Sequence, residues 1–380
     1  MLTDILGIIL IMYVIWKASD GFESASNYLG RDMTEGVKGA TINAIGSSLP
    51  ELMTAMIALL WYNDRDGFGF GVAATAGSAL FNTFIIPSVV ILSVVVFTTV
   101  KRISISKKVV LRDGIFLLLS ELLLIMLLTG GTITFYHSII MLATYGIYVY
   151  YTISSMKKDT TNISKNNDNH SDFLEYDVED RSRLRSVLHI DLRHVILGED
   201  KLNKLNSILL LISSIFVIGI ACHFLVDFTY SIGDRLNLNV FFISVILAAA
   251  ATSIPDTILS MKDAKNGNYD DATSNALGSN IFDVLVSLGL PILIYTIMVG
   301  PIIIAPESME LISELRIYLF ILIGVAFLFF IFVKHLSFSS GIFLISVYLL
   351  FVAYIYGKAY NLEYSQTISE YLMIISSNIP

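Results

Sequence analysis

The sequence predicts an all-α integral membrane protein: ten transmembrane helices as two inverted five-helix repeats, with broken helices at the midplane. Three observations carry this. The 380-residue chain is 55% hydrophobic and only 15% charged, with mean hydropathy +0.73, whereas a soluble domain is about a quarter charged. Apolar runs of roughly 20 residues, enough to span about 30 Å of hydrocarbon, recur along the chain. Two pairs of polar strings also occur twice, in the same order.

The first apolar run, 2–17, has no basic region before it and no small-residue cleavage site after it, so it reads as a spanning helix rather than a signal peptide. Runs at 37–61, 70–99, 110–129 and 132–155 complete a group of five. The stretch from Ser155 to Lys204, with Thr160-Thr161-Asn162 and Asn166-Asn167-Asp168-Asn169, is hydrophilic. Runs at 205–229, 237–261, 269–299, 316–333 and 338–357 form a second group. The organisation is therefore a first repeat over 1–155, a hydrophilic loop over 156–204, a second repeat over 205–357 and a C-terminal tail over 358–380.

Basic residues orient the chain. With the N-terminus outside, the inner segments hold Lys17, Arg31, Lys38, Lys101, Arg102, Lys107, Lys108, Arg112, Lys262, Lys265 and Lys334, and the outer ones only Arg65, Arg235, Arg316 and Lys358. This places the N-terminus outside and the central loop in the cytoplasm. An odd number of helices per half then inverts the second half, so matching motifs meet near the midplane. The lean loop favours a prokaryotic cell membrane. The net charge of −8 gives no sign of a nucleic-acid partner, and the lipid bilayer is the surrounding the chain calls for; protein partners stay unknown. The single cysteine, Cys222, reads as a small buried side chain.

The repeated strings carry the chemistry. Ser47-Ser48-Leu49-Pro50-Glu51 is followed by Gly77-Ser78-Ala79-Leu80-Phe81-Asn82, and Thr252-Ser253-Ile254-Pro255-Asp256 by Gly278-Ser279-Asn280-Ile281-Phe282-Asp283. Ser48 with Glu51 three residues on, and proline between, is a helix-start pattern like a capping box. Inside an apolar run it predicts a broken helix, with carbonyls near Ala44–Ser47 and Ala248–Ala251 released from helical bonding. Irregular backbone at membrane depth is tolerated only where it lines a cavity or is buried in protein. Those carbonyls, the hydroxyls of Ser47, Ser48, Thr252 and Ser253, and the carboxylates of Glu51 and Asp256 make an all-oxygen surface suited to Ca2+ or Na+. No His/Cys spacing suits zinc or copper. Ser78 with Asn82, and Ser279 with Asp283, sit four apart on one helix face and add further oxygens. The glycines would let that helix approach the broken one closely.

These strings resemble the two alpha repeats of the sodium/calcium exchangers, within the calcium/cation antiporter superfamily. The resemblance implies antiport of three Na+ for one Ca2+ by alternating access, with Glu51 and Asp256 as shared ligands. It adds the carbonyls of Ala44 and Ala249, and assigns Ser78, Asn82, Ser279 and Asp283 to the Na+ positions and any water site. No cofactor is implied; Ca2+ and Na+ are transported ions. The departures are Asp256 where many prokaryotic relatives have Glu, Ala251 in place of a glycine, and Asp283 rather than Asn. Asp283 resembles the potassium-dependent branch and leaves K+ co-transport open. The interval from Glu51 to Asn82 is 31 positions against 27 from Asp256 to Asp283, the extra residues falling in Asn63–Phe70. The alternatives are a proton-coupled Ca2+/cation antiporter, and an intramembrane hydrolase using Glu51 and Asp256 as an acid pair; the chain is not expected to be an enzyme.

Other signals are weaker. Glu121 reads as a buried carboxyl, neutral or paired with another helix, rather than a proton-sensitive site. His223 reads as a packing residue. Asp177, Glu179 and Asp180 read as solvated charge. Ser182 to Leu197 fits either an interfacial helix on anionic lipid or the start of the sixth helix.

Overall fold

The computed structural model describes residues 1–31, 44–62, 66–160, 186, 189–198 and 202–377. Asp177, Glu179, Asp180 and most of Ser182 to Val187 lie outside the described residues.

The first half contains α1 (Leu2–Leu29), α2 (Ala44–Ser47), α3 (Leu49–Trp61), α4 (Gly67–Leu80), a π-helical turn (Phe81–Ile85), α5 (Ile86–Phe97), α6 (Lys107–Leu128), β1 (Thr132–Ile133) and α7 (Phe135–Thr160). A short α8 (Leu192–Leu197) lies between the halves. The second half contains α9 (Lys204–Leu236), α10 (Val240–Ile243), a π turn (Ser244–Ala248), α11 (Ala249–Thr252), α12 (Ile254–Lys265) and α13 (Tyr269–Phe282). A third π turn (Asp283–Ser287), α14 (Gly289–Met298), β2 (Ile302–Ile303), α15 (Pro306–Phe332), α16 (Phe338–Ala359) and α17 (Glu363–Ser377) follow. The order of the long helices in the second half repeats the first, while β1 follows α6 but β2 precedes α15, and the π turn Ser244–Ala248 and α17 have no counterpart among the described residues of the first half. Among the described residues six helices are long and apolar enough to cross a membrane, and the bent pair Val240–Thr252 and Ile254–Lys265 makes a seventh span. The chain is an all-α integral membrane protein.

Polar caps set several boundaries. Asp66 accepts from the Gly69 amide at 3.1 Å and starts α4, and Asn203 accepts from the Asn206 amide at 2.9 Å and starts α9. Asn237, in the left-handed region at φ 53°, ends α9. Ser337 and Ser340 form a reciprocal capping box on α16.

Long-range contacts define two ends of the bundle. At one, Arg235 at the finish of α9 meets Asp4 at the start of α1 at 3.1 Å, β1 pairs antiparallel with β2, and Ser308 donates to Asp66 at 2.8 Å. At the other, Ile103 bridges to Leu336, the Ser106 amide donates to Asp270 at 2.7 Å, and Lys262 meets Asp20 at 3.2 Å. The leading helices of the two halves thus run in opposite senses, which is the inversion the odd helix count predicts. Side chains of both halves interlock in the centre, with Leu80, Phe84, Val245, Val284 and Leu285 in one apolar cluster. Ile15, Phe70, Ile218 and Leu225 belong to a second one.

Several expectations are corrected. α1 continues to Leu29 rather than stopping near 17, because Lys17, Asp20 and Glu23 ride on a helix end with aqueous access. The ninth helix begins at Pro306, not near 316, and Arg316 is fully buried inside it rather than in an outer segment. Its guanidinium contacts both Glu121 oxygens at 3.3 Å and donates to the Val72 carbonyl at 3.0 Å and Thr75 Oγ1 at 2.8 Å. Glu121 is therefore paired with another helix. Lys358 lies in the last turn of α16 and holds buried Glu314 at 2.8 Å. The segment 358–380 is not a bare tail: α17 docks on α15, with Ser369 donating to Glu314 at 2.8 Å. Leu192–Leu197 is a separate helix whose Leu197 packs with Ala25 and Leu210, and does not begin the sixth span. His223 is half exposed, 3.7 Å from Asp227, with its ring against those of Tyr62 and Phe224.

Removing one partner of a buried pair leaves an uncompensated charge, at a cost of about 3–5 kcal/mol. Arg316→Met is expected to lower the unfolding midpoint in detergent by that order, and Glu121→Gln added to it to restore most of the loss. A double variant no better than the single one would refute the pairing.

Candidate cation site

The break in each first-motif helix is confined to one residue. Ser48 has φ −94° and ψ 8°, Ser253 has φ −79° and ψ 4°, and helix resumes at once with Pro50 and Pro255 in the first turn. The expected capping box does not form: neither Ser48 nor Ser253 caps with its side chain. The release of carbonyls is also narrower than expected. Ala249 O accepts both the Ser253 amide at 3.2 Å and the Thr252 hydroxyl at 3.2 Å. The prolines, which have no N–H, deprive the carbonyls four residues back, those of Gly46 and Ala251, of a helical donor.

The kinks free the serine side chains to face the other half. Ser47, Ser48, Glu51, Ser78, Asn82, Ala249, Thr252, Ser253, Asp256, Ser279 and Asp283 are all buried. Ala44 begins α2. Ser279 donates to Asp256 Oδ1 at 2.8 Å and the Asn82 amide to Asp256 Oδ2 at 3.2 Å. Ser47 Oγ is 3.4 Å from Ser279 Oγ. Ser78 Oγ lies 3.3 Å from Glu51 Oε1, 3.1 Å from Asp283 Oδ2 and 2.9 Å from Ser253 Oγ. Ser253 Oγ is in turn 3.5 Å from Glu51 Oε1. The two repeats thus cross over, each acid being covered by hydroxyls from both halves.

The crossing is asymmetric at one pair of positions. Asn82 places an amide donor on Asp256, whereas its counterpart Asp283 places a carboxylate near Glu51 with Ser78 between them. A hydroxyl has one proton, so Ser78 cannot donate to both acids. Glu51 Oε2, Ser48 Oγ and Asn82 Oδ1 also lack a hydrogen bond of normal geometry. The cluster is short of positive charge around Glu51 and Asp283.

The buried acids fall into two groups. Asp4 meets Arg235 and the N-terminal amine, Asp113 meets Arg112, Glu121 meets Arg316 and Glu314 meets Lys358. Glu51, Asp256 and Asp283 have no basic partner among the described residues, only hydroxyls and an amide. Among the described residues no three His, Cys, Asp or Glu side chains converge as a chelating group; the acids are spaced by serines, an arrangement that suits hard cations taking mixed oxygen ligands.

Each second-motif helix passes into a π turn at the site, at Phe81–Ile85 and Asp283–Ser287. Such bulges occur at functional sites, and the signals for them are Pro87 and Pro291, which cannot donate to carbonyls one turn back. Asn280, which the motif reading passed over, is buried and donates to Ala79 O at 3.0 Å and Thr83 Oγ1 at 2.9 Å, tying α13 to α4. Of the two motif glycines only Gly77 serves close approach: a Cβ there would lie 1.9 Å from Val245 O. At Gly278 the nearest atom is the Tyr148 hydroxyl at 3.5 Å.

A sequence profile described as Sodium/calcium exchanger protein matches residues 3–154 and 206–357. Sodium/potassium/calcium exchanger 2 of Mus musculus is 39% identical over 85 residues, covering 22% of this chain and 13% of that protein. The Gallus gallus protein of the same name is 30% identical over 118 residues, covering 30% and 18%. The matched stretches are thus less than a fifth of the length of those relatives. Among solved structures, the H+/Ca2+ exchanger CAX superposes with TM-score 0.61 at 15% identity, over 98% of this chain and 92% of that one. The sodium-calcium exchanger NCX_Mj superposes with TM-score 0.55 at 20% identity, over 92% and 97%. At these identities the likeness is one of fold.

The glycine asymmetry is directly measurable. Gly77→Ala is expected to destabilise by about 1–3 kcal/mol through overpacking, while Gly278→Ala stays near the parent; equal unfolding midpoints for the two variants would contradict the crossing geometry.

Proposed function

The chain belongs to the sodium/calcium exchanger protein family, and we propose that it is a Ca2+/cation antiporter that exchanges Na+ for Ca2+ by alternating access. The observation that carries this reading is the set of three buried acids, Glu51, Asp256 and Asp283, that lack a basic partner among the described residues while every other buried acid has one. Charge in a bilayer is costly and is retained where it meets a transported ion. Three negative charges match three Na+ in one half-cycle, and Ca2+ with one monovalent ion in the other.

In this reading Glu51 and Asp256 bind Ca2+ and Na+ in turn. Ser47, Ser48, Ser78, Thr252, Ser253 and Ser279 supply hydroxyls or adjoining carbonyls, with Ala44 and Ala249 offering carbonyls. Asn82 neutralises part of the first-repeat side, and Asp283 supplies the third charge. The residues 1–155 and 205–357 act as the two repeats around the 156–204 loop, with the N-terminus outside the cell membrane and the loop in the cytoplasm. The monovalent companion of Ca2+ is K+ in this proposal, because Asp283 adds a charge that the symmetric Asn82 does not. The sodium/potassium/calcium exchanger names of the relatives agree with it. A proton on one carboxyl would give the same total charge, and the H+/Ca2+ exchanger fold neighbour keeps that reading in the test.

The experiment is uptake of radiolabelled Ca2+ into Na+-loaded proteoliposomes diluted into Na+-free buffer, with and without K+. Uptake is expected to require the Na+ gradient and to rise with K+. Uptake driven instead by a pH gradient alone would replace Na+ with H+ as the coupling ion. Glu51→Gln and Asp256→Asn are expected to reduce uptake to background with the fold intact. Asp283→Asn is expected to keep Na+-driven uptake while losing the K+ effect; an unchanged K+ profile would remove Asp283 from that role.

A further inference from the structure

A narrow cleft opens between α1 and α12 and reaches the site at Ser47. Its floor is Gly46, Ser47 and Pro255, the residues at the two kinks; Pro255 immediately precedes Asp256 and Ser47 touches Ser279. Trp16, Phe22, Ile258 and Leu259 form apolar walls. The charged lining residues, Asp20, Glu23 and Lys262, lie at the bundle end that also holds Ser106, Asp270 and Leu336. Lys262 Nζ reaches across from α12 to Asp20 Oδ1 at 3.2 Å and Glu23 Oε2 at 3.6 Å on α1. Lys17, 3.8 Å from Asp20 and resting over the Trp16 ring, is a second cation beside this cluster.

We propose that Lys262 is the gate of this cleft: its ammonium occupies the Asp20 and Glu23 carboxylates until an incoming metal cation displaces it and passes down to Ser47 and Asp256. The proposal rests on the exchange reading for what passes, but on geometry alone for where it passes. Three features support it. The pair joins the two helices that form the walls, so separating its partners and opening the cleft are the same movement. The side chains keep partial exposure, 38% for Lys262, 25% for Asp20 and 27% for Glu23, so the ammonium is within reach of a competing ion. An ion pair so exposed is weak, about 0.2–1 kcal/mol, and a cation attracted by both carboxylates competes with the ammonium groups of Lys262 and Lys17.

The gate predicts an effect on one face only. Lys262→Gln should lower the KM for Ca2+ about two- to fivefold, the worth of an exposed ion pair, on the bundle end that carries it, with KM on the opposite face unchanged. Asp20→Asn with Glu23→Gln should raise KM on that same face. A KM change of equal size on both faces, or none, overturns the assignment. A second measurement needs no transport. Leu259→Cys places a thiol on the cleft wall, and the parent chain, whose Cys222 is fully buried, is the blank. Reaction of that thiol with a cationic methanethiosulfonate should quicken by the same factor when Lys262→Gln is added. Unchanged labelling removes the gate whatever the flux shows. Labelling that responds to Lys262 in a protein without Na+-driven uptake keeps the gate and removes the exchange reading.

Discussion

Negative charge in the membrane interior, held without a fixed counter-charge, is the constraint on which the rest of this structure depends. Two unit charges 4 Å apart interact by about 4 kcal/mol at an effective dielectric of 20, so three neighbouring carboxylates cannot remain ionised and bare. The chain answers the same problem differently elsewhere: Glu121 is held by Arg316, Asp113 by Arg112 and Glu314 by Lys358. The Glu121 and Glu314 pairs fasten helices, α6 to α15 and α15 to α16, while Arg112 and Asp113 are neighbours on α6. At the centre the cover consists of hydroxyl protons and one amide, which a hard cation can replace without moving a helix.

Replaceable cover needs side chains from several directions, and this explains the backbone devices around it. The single-residue kinks at Ser48 and Ser253 turn consecutive hydroxyls toward the partner half. The π turns at Phe81–Ile85 and Asp283–Ser287 shift the side chains that follow Ser78 and Ser279. Gly77 admits the Val245 carbonyl, which brings the two crossing segments to backbone contact. Asn280 fixes the crossing with bonds to Ala79 and Thr83. Gly77 and Asn280 are not in the proposed all-oxygen set, yet they and the backbone kinks and π turns set the distances between its members.

The site was legible in the sequence because its determinants are local and doubled: serine, proline and acid within five residues, then serine and an acid or amide four apart. The acids and hydroxyls named from those strings are brought together as expected. What escaped was set at long range or by backbone detail. From the sequence Arg316 reads as an outer-segment residue, because charge breaks an apolar run. Its acid partner Glu121 lies 195 residues away and its other acceptors on a third helix, so no window could pair them. Glu307, Glu310 and Glu314 hid the start of α15 in the same way. The capping reading of Ser48 failed for a related reason: the hydroxyl has buried acids of the other repeat nearby, and the tertiary setting outweighed the local preference.

The two ends of the bundle are closed by different combinations of forces, and that difference bears on how exchange is coupled. At the Asp4 end, beside the Arg235–Asp4 ion pair, Tyr62 and Tyr230 stack at 4.9 Å and Tyr230 and Phe70 at 5.4 Å, joining α3, α4 and α9, and the Tyr62 hydroxyl donates to Asp227. Opening such a stack exposes rings to water and gains nothing from a passing ion. At the Lys262 end, closure is by charge, and a cation can take the place of the ammonium it displaces. An ion that displaces Lys262 therefore lowers the cost of opening that end directly, and neutralising Glu51, Asp256 and Asp283 in the middle bears on both ends. With the acids bare, separating the halves would strip away hydroxyl donors that come from both repeats, as Ser253 does for Glu51 and Asn82 for Asp256. The empty carrier is then held closed by the same bonds a bound cation makes unnecessary, which gives exchange rather than leak.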